Sequence, residues 1–124
     1  MSKGKIVIVP FPFDDALRSK PRPALCLTEP IGPHEHIVVA FISSQVPHER
    51  ALESSDILIR EDTDWFSLTG LKSASVLKLH RVTTIAARHI KRELGKLPQT
   101  TMDLVATKLA VLFGIPGQPE HRNG

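Results

Sequence analysis

A small, strongly bent β-structure with one C-terminal helix is the fold this sequence predicts, and three observations carry that reading. Short β-branched and apolar runs recur as far as Leu97, Gly and Pro stand at the corners between them, and apolar spacing turns helical only near the C-terminus. Strands so short and numerous favour barrel-like closure over an open sheet. At 124 residues the chain has room for one domain with a modest core, expected over residues 1–116, with 117–124 a flexible tail.

The elements follow in order. Ile6-Val7-Ile8-Val9 is a β-branched run ended by Pro10-Phe11-Pro12-Phe13, and Asp14-Asp15 opens a polar loop that runs to about Lys20. Ala24 to Thr28 makes a second strand, Pro30 to Pro33 a turn around Gly32, and Ile37 to Ser43 a third strand whose unbroken apolar run implies burial on both faces. Short turns between these three imply antiparallel neighbours. Val46 to Glu53 is polar and interrupted by Pro47; Ile57-Leu58-Ile59 is a short strand, and Phe66, Leu68 and Leu71 surround a turn at Gly70. Ser75 to Leu79 and Val82 to Ile85 read as two short strands or one bent one, and Ile90 to Leu97 adds an edge. From Gln99 to Phe113, Met102, Val105, Ala106, Leu109, Leu112 and Phe113 recur at helical spacing, Thr100 with Asp103 resembles a capping pair, and Gly114 and Pro116 stop the helix. Leu104 and Val111 sit off that stripe: either they pack on a partner subunit or they are simple surface apolarity.

The formal charge of +3 and a pI near 9.3 lean towards an anionic partner. The lone Cys26 has no internal disulfide partner, which favours a reducing, cytosolic setting. The apolar run Ile6 to Val9 is too brief for a signal-peptide core or a membrane span, so a soluble, cytoplasmic protein without membrane association is expected. His34 and His36 lack further ligands at metal-binding spacing, so neither a metal site nor a cofactor is expected.

Lys20-Pro21-Arg22-Pro23-Ala24-Leu25-Cys26-Leu27 is the most informative stretch. Pro21 fixes its own φ and pushes Lys20 towards extended geometry; Pro23 does the same to Arg22 and removes a backbone donor. A stiff, extended arginine at a strand start suits planar, bidentate recognition of an anion such as phosphate. Read alone, the same residues also fit a rigid loop-to-strand junction with a solvated arginine.

Three segments taken together carry a resemblance: Gly4-Lys5-Ile6-Val7-Ile8-Val9-Pro10-Phe11-Pro12-Phe13, then Lys20-Pro21-Arg22-Pro23-Ala24-Leu25, then Val39-Ala40-Phe41-Ile42-Ser43-Ser44-Gln45. In order and spacing they resemble the MazF/PemK family of toxin-antitoxin ribonucleases. Gly70-Leu71, Ser75-Val76-Leu77-Lys78-Leu79, Gly95-Lys96-Leu97 and the terminal helix extend the likeness over nearly the whole chain. The resemblance implies an SH3-like barrel with a terminal helix, a homodimer, an antitoxin partner, and metal-independent cleavage of single-stranded RNA. It places Arg22 at the family's catalytic arginine, and Ser43 where the family usually has a threonine, a change that keeps the hydroxyl. Ser43 also fits a strand-end hydroxyl that caps a turn. The first loop, Asp14-Asp15-Ala16-Leu17-Arg18-Ser19, departs from the family's Gly-Ser-like pattern, so Ser19 matches loosely, and Arg81-Val82-Thr83-Thr84 lacks an arginine just before its last threonine.

RNA brings its own nucleophile, the 2′-hydroxyl, so cleavage needs in-line geometry, stabilisation of phosphorane charge, and proton transfers. Arg22 suits the second task, and Ser43 can donate to a non-bridging oxygen. Which group takes the 2′-proton stays open between Arg22, a histidine and water. Ser19, Lys20, Ser44, Gln45, Lys78, His80 and Arg81 are the candidate substrate-binding residues; Lys72 joins Lys78 and Arg81 on the expected basic face, and Phe11 and Phe13 either stack bases or pack in the core. A non-catalytic binder on the same scaffold, of the kind the gyrase-binding CcdB toxins represent, is the alternative.

Overall fold

The computed structural model describes residues 1–11 and 20–116. The expected acidic loop with Phe13 and Ser19, and the tail from residue 117, lie outside those residues. Six strands, β1 (Lys5–Phe11), β2 (Lys20–Cys26), β3 (His36–Ser43), β4 (Asp56–Ile59), β5 (Ser75–Ala86) and β6 (Arg92–Lys96), precede one helix, α1 (Gln99–Leu112). They form one sheet in the order β4-β5-β3-β2-β1-β6, every neighbouring pair antiparallel.

Period-two alternation divides the apolar residues between the two faces. Ile6, Leu25, Ala40, Ile42, Leu77 and Leu79 point to one face, where α1 covers them with Met102 and Val105. Val7, Val9, Ala24, Cys26, Val39 and Phe41 point to the other and form a second cluster. The unbroken apolar run of β3 therefore serves two cores, as its composition predicts.

Val82 to Ile85 and Ser75 to Leu79 belong to a single bent strand. Ala40 faces Val82 but the next residue, Phe41, faces Lys78, so Leu79, His80 and Arg81 are extra residues in β5. Such an insertion bends a strand and raises its twist. The first half of β5 also pairs with β4, where Asp56 lies directly opposite Lys78.

The ladders leave β4 and β6 as edges, yet the sheet curls far enough for Ile57 and Ile59 of β4 to share a cluster with Ile6 and Leu97 from the other side. The β4–β5 connection crosses this seam as a 3-10 turn over Phe66–Thr69, ending at Gly70 with φ 71°. A Cβ on Gly70 would collide with the Leu94 carbonyl, and one on Gly95 with the backbone of Leu68 and Thr69. Closure is thus made by backbone packing between two glycines.

Helix α1 starts two residues earlier than a Thr100 cap requires. Pro98 is the N-cap, with φ −68° and no side-chain capping bond. Asp103 instead accepts a hydrogen bond from Gln99 Nε2 at 2.9 Å. Met102, Val105 and Ala110 are buried, whereas Leu104 and Val111 are 44% and 73% exposed. None of the helices among the described residues is long and apolar enough to cross a membrane.

Candidate active site

The second face changes character along its length. Ala24 of β2 faces Phe41 of β3. Two residues further out on each strand, on the same face, come Arg22 and Ser43, so the alternation that buries Ala24 and Phe41 brings the arginine and the hydroxyl to the end of that core. Arg22 is supported from the other side by β1, where Val9 is its partner across the ladder. The bend in β5 turns Lys78 and Arg81 towards the same place. Arg22, Ser43, Lys78 and Arg81 line a cleft of about 530 Å³, together with Ser44, Gln45 and the Val46-Pro47 segment.

Each cation has its own support. Arg22 stands between Pro21 and Pro23 on a paired strand. The Arg81 guanidinium lies over the Phe41 ring, 4.9 Å from its centroid, a cation–π contact. Lys78 Nζ stands 3.5 Å from Oδ2 of Asp56, whose side chain is wholly buried. That Oδ2 also accepts the Glu53 N–H at 2.9 Å. Asp56 Oδ1 has no hydrogen-bond partner among the described residues, and His80 Nδ1 stops 3.8 Å from it.

Ser43 Oγ accepts the Gln45 N–H at 3.1 Å, so the hydroxyl caps the turn after β3. This use occupies a lone pair and leaves the Ser43 proton available to donate into the cleft. The turn-capping and donor readings are therefore compatible.

The candidates named from sequence separate as follows. Arg22, Ser43, Ser44, Gln45, Lys78 and Arg81 come together around one cleft. Lys20 is exposed at the start of β2, and Lys72 is exposed; neither is among the residues that line it. His80 is outside the lining too, and turns to Asp56. Ser19 lies outside the described residues, and with it the contribution of the first loop. Sequence reasoning missed Asp56: an acid opening the Ile57-Leu58-Ile59 strand reads as a loop residue until the β4–β5 register sets it opposite Lys78. It also missed Phe41 as the seat of Arg81.

Cys26 takes no part in this chemistry. It is buried, and burial pushes its thiol from 9.0 up to about 11, against a smaller opposing pull from Lys5. Among the described residues no group of three or more His, Cys, Asp or Glu stands close enough to share a metal ion. What remains is a cationic, partly apolar cleft with a hydroxyl at its rim, suited to holding a phosphate and answering charge that develops on it.

Curled half-barrels of this kind with a terminal helix recur among solved toxins. The chain is similar to the Mycobacterium tuberculosis toxin MazF-mt6, with TM-score 0.68 and 22% identity over 91% of this chain and 99% of that one. It is also similar to a mycobacterial endoribonuclease solved in complex with its cognate antitoxin (TM-score 0.67, 14% identity, 95% and 99% covered). A third likeness is to MazF from Deinococcus radiodurans (TM-score 0.65, 16% identity, 93% and 97% covered). No curated protein sequence gives a significant match. Residues 2–113 match the family described as PemK-like, MazF-like toxin of type II toxin-antitoxin system, and the chain belongs to that family.

Proposed function

We propose that this toxin is a sequence-specific endoribonuclease that cuts single-stranded RNA without a metal ion, by attack of the 2′-hydroxyl on the adjacent phosphorus. The products are a 2′,3′-cyclic phosphate and a 5′-hydroxyl. The observation that carries the reading is the convergence of Arg22 and Ser43, from different strands, at the mouth of one cationic cleft. Arg22 stabilises the phosphorane as a permanent charge on a proline-stiffened backbone, and Ser43 donates to a non-bridging oxygen. Lys78, Arg81, Ser44 and Gln45 hold neighbouring phosphates, sugars and bases; Ser19, Lys20 and His80 are further candidates for substrate contact. The protein acts in the cytoplasm as a homodimer and is held in check by a cognate antitoxin.

Mapping of RNA ends after incubation with the purified protein tests this directly. Cleavage is expected to persist in excess chelator, and an oligonucleotide with one deoxy sugar at the scissile position is expected to bind and resist cutting. Strict dependence on added magnesium or zinc would reject the mechanism. Arg22→Ala protein that still poisons cells would favour a toxin that acts by binding.

A further inference from the structure

We propose that Asp56 is a positioning residue that fixes Lys78 against a phosphate of the RNA being cleaved, an inference that rests on the nuclease reading above. Arg81 is held by the Phe41 ring, and the flanking prolines stiffen the backbone that carries Arg22. Lysine is different: its ammonium rides on a flexible four-carbon stem and has no planar fork to orient it. Asp56 is what holds this one. It sits directly opposite Lys78 in the β4–β5 ladder, its side chain is 0% exposed against 20% for Lys78, and its Oδ2 lies 3.5 Å from Nζ. The Glu53 N–H fixes the carboxylate in turn, at 2.9 Å.

The cost of this arrangement argues that it has a use. A wholly buried carboxylate with one oxygen that accepts no hydrogen bond among the described residues is expensive to keep. Its charge also works against the attraction of the cleft for a polyanion, so strengthening RNA binding is not its contribution. What a fixed anion behind a flexible cation supplies is geometry. The ammonium is delivered to one place at the cleft wall, where it meets phosphate charge without a search over rotamers. His80 Nδ1 faces the other carboxylate oxygen, Oδ1, at 3.8 Å.

A split between turnover and affinity tests the idea. Asp56→Asn keeps the shape and removes the anchor, so kcat on a single-stranded RNA oligomer is expected to fall about tenfold while KM stays the same or drops. A merely structural defect would instead raise KM or lower the melting temperature along with kcat. In a Lys78→Met background the Asp56→Asn change should cost nothing further, because its effect runs through Lys78. Wild-type rates in Asp56→Asn, or a loss that multiplies in full on Lys78→Met, would overturn the proposal while the nuclease reading stands. Wild-type protein that cuts no RNA would bring down both. If Asp56→Asn does not fold, NMR of the Lys78 ammonium in the wild-type protein decides: an ordered group supports the anchor, and a freely rotating one overturns it.

Discussion

At the scale of single residues, the cleft combines a charge that cannot be switched off with a hydroxyl that can donate. Arg22→Ala should lower the cleavage rate on the order of a hundredfold or more without unfolding the protein, the usual scale for losing a transition-state donor. Arg22→Lys should also be impaired, because an ammonium keeps the charge and loses the fork. Ser43→Ala should cost less, since it removes a neutral donor; single-turnover rates order the three, and normal rates in folded Arg22→Ala and Ser43→Ala would mean the site lies elsewhere. Cys26 gives a prediction of a different kind. Its folded thiol titrates at about 11 against 9.0 for an unperturbed thiol, so the folded state holds the proton more tightly. That contribution is complete below the unfolded value and is lost as pH rises from 9.0 towards about 11. The sequence has no tyrosine to titrate in the same window. Urea midpoints should therefore fall more steeply with alkaline pH in the wild type than in Cys26→Ala; equal slopes would count against a buried, proton-holding thiol.

At the scale of elements, the least forgiving place is the seam between the β4–β5 connection and β6. Gly95→Ala would drive a methyl group into the backbone of Leu68 and Thr69, where no flexible side chain can yield. A loss of about 1–3 kcal/mol is expected, the scale of overpacking, read as a lower melting temperature with the cleft residues untouched. An unchanged melting temperature would mean the seam opens at little cost. This seam was half legible in the sequence. Gly70 and Gly95 stand out as glycines beside apolar runs, but that they interlock depends on curvature, and composition gives no measure of curvature. Strand existence was readable from β-branched runs, and the antiparallel order of β1, β2 and β3 from the short turns between them. The candidate cleft was legible where local chemistry is unusual, as at the prolines around Arg22. It was not legible at Asp56, whose meaning comes from the register of a neighbouring strand, or at Phe41, which reads as one more apolar residue of β3. The bend at Leu79, His80 and Arg81 sits between: the sequence left one bent strand or two open, and only the shifted pairing with Ala40 and Phe41 decides. The helix does begin at Gln99, where its apolar spacing starts; the Thr100–Asp103 capping pair is what the structure replaces, since a proline at the N-cap offers the right φ without any side-chain hydrogen bond.

At the scale of the whole molecule, one cleft of about 530 Å³ is short for a strand of several nucleotides. The terminal helix leaves Leu104 and Val111 exposed, with Phe113 and Ile115 beyond them at 62% and 51% exposure. Exposed apolar side chains along one helix and its end are a common mark of an interface. The expected assembly is a homodimer that buries this helix face and grips RNA with surfaces from both copies. Light scattering at micromolar concentration should report two chains, and Val111→Asp should shift the protein towards monomer and weaken RNA cleavage together, because a charge buried without a partner opposes association. A wild-type monomer would refute the assembly, and a Val111→Asp dimer would move its interface elsewhere. The proposed antitoxin meets the same physics. An acidic segment that folds as it binds would find Arg22, Lys78 and Arg81 lining one cleft, and would block RNA by occupying them. Antitoxin and single-stranded RNA should then compete for one site, with the antitoxin's inhibition weakened in Arg22→Ala and Arg81→Ala. An antitoxin that binds tightly and leaves cleavage intact would refute the shared groove while leaving the nuclease in place.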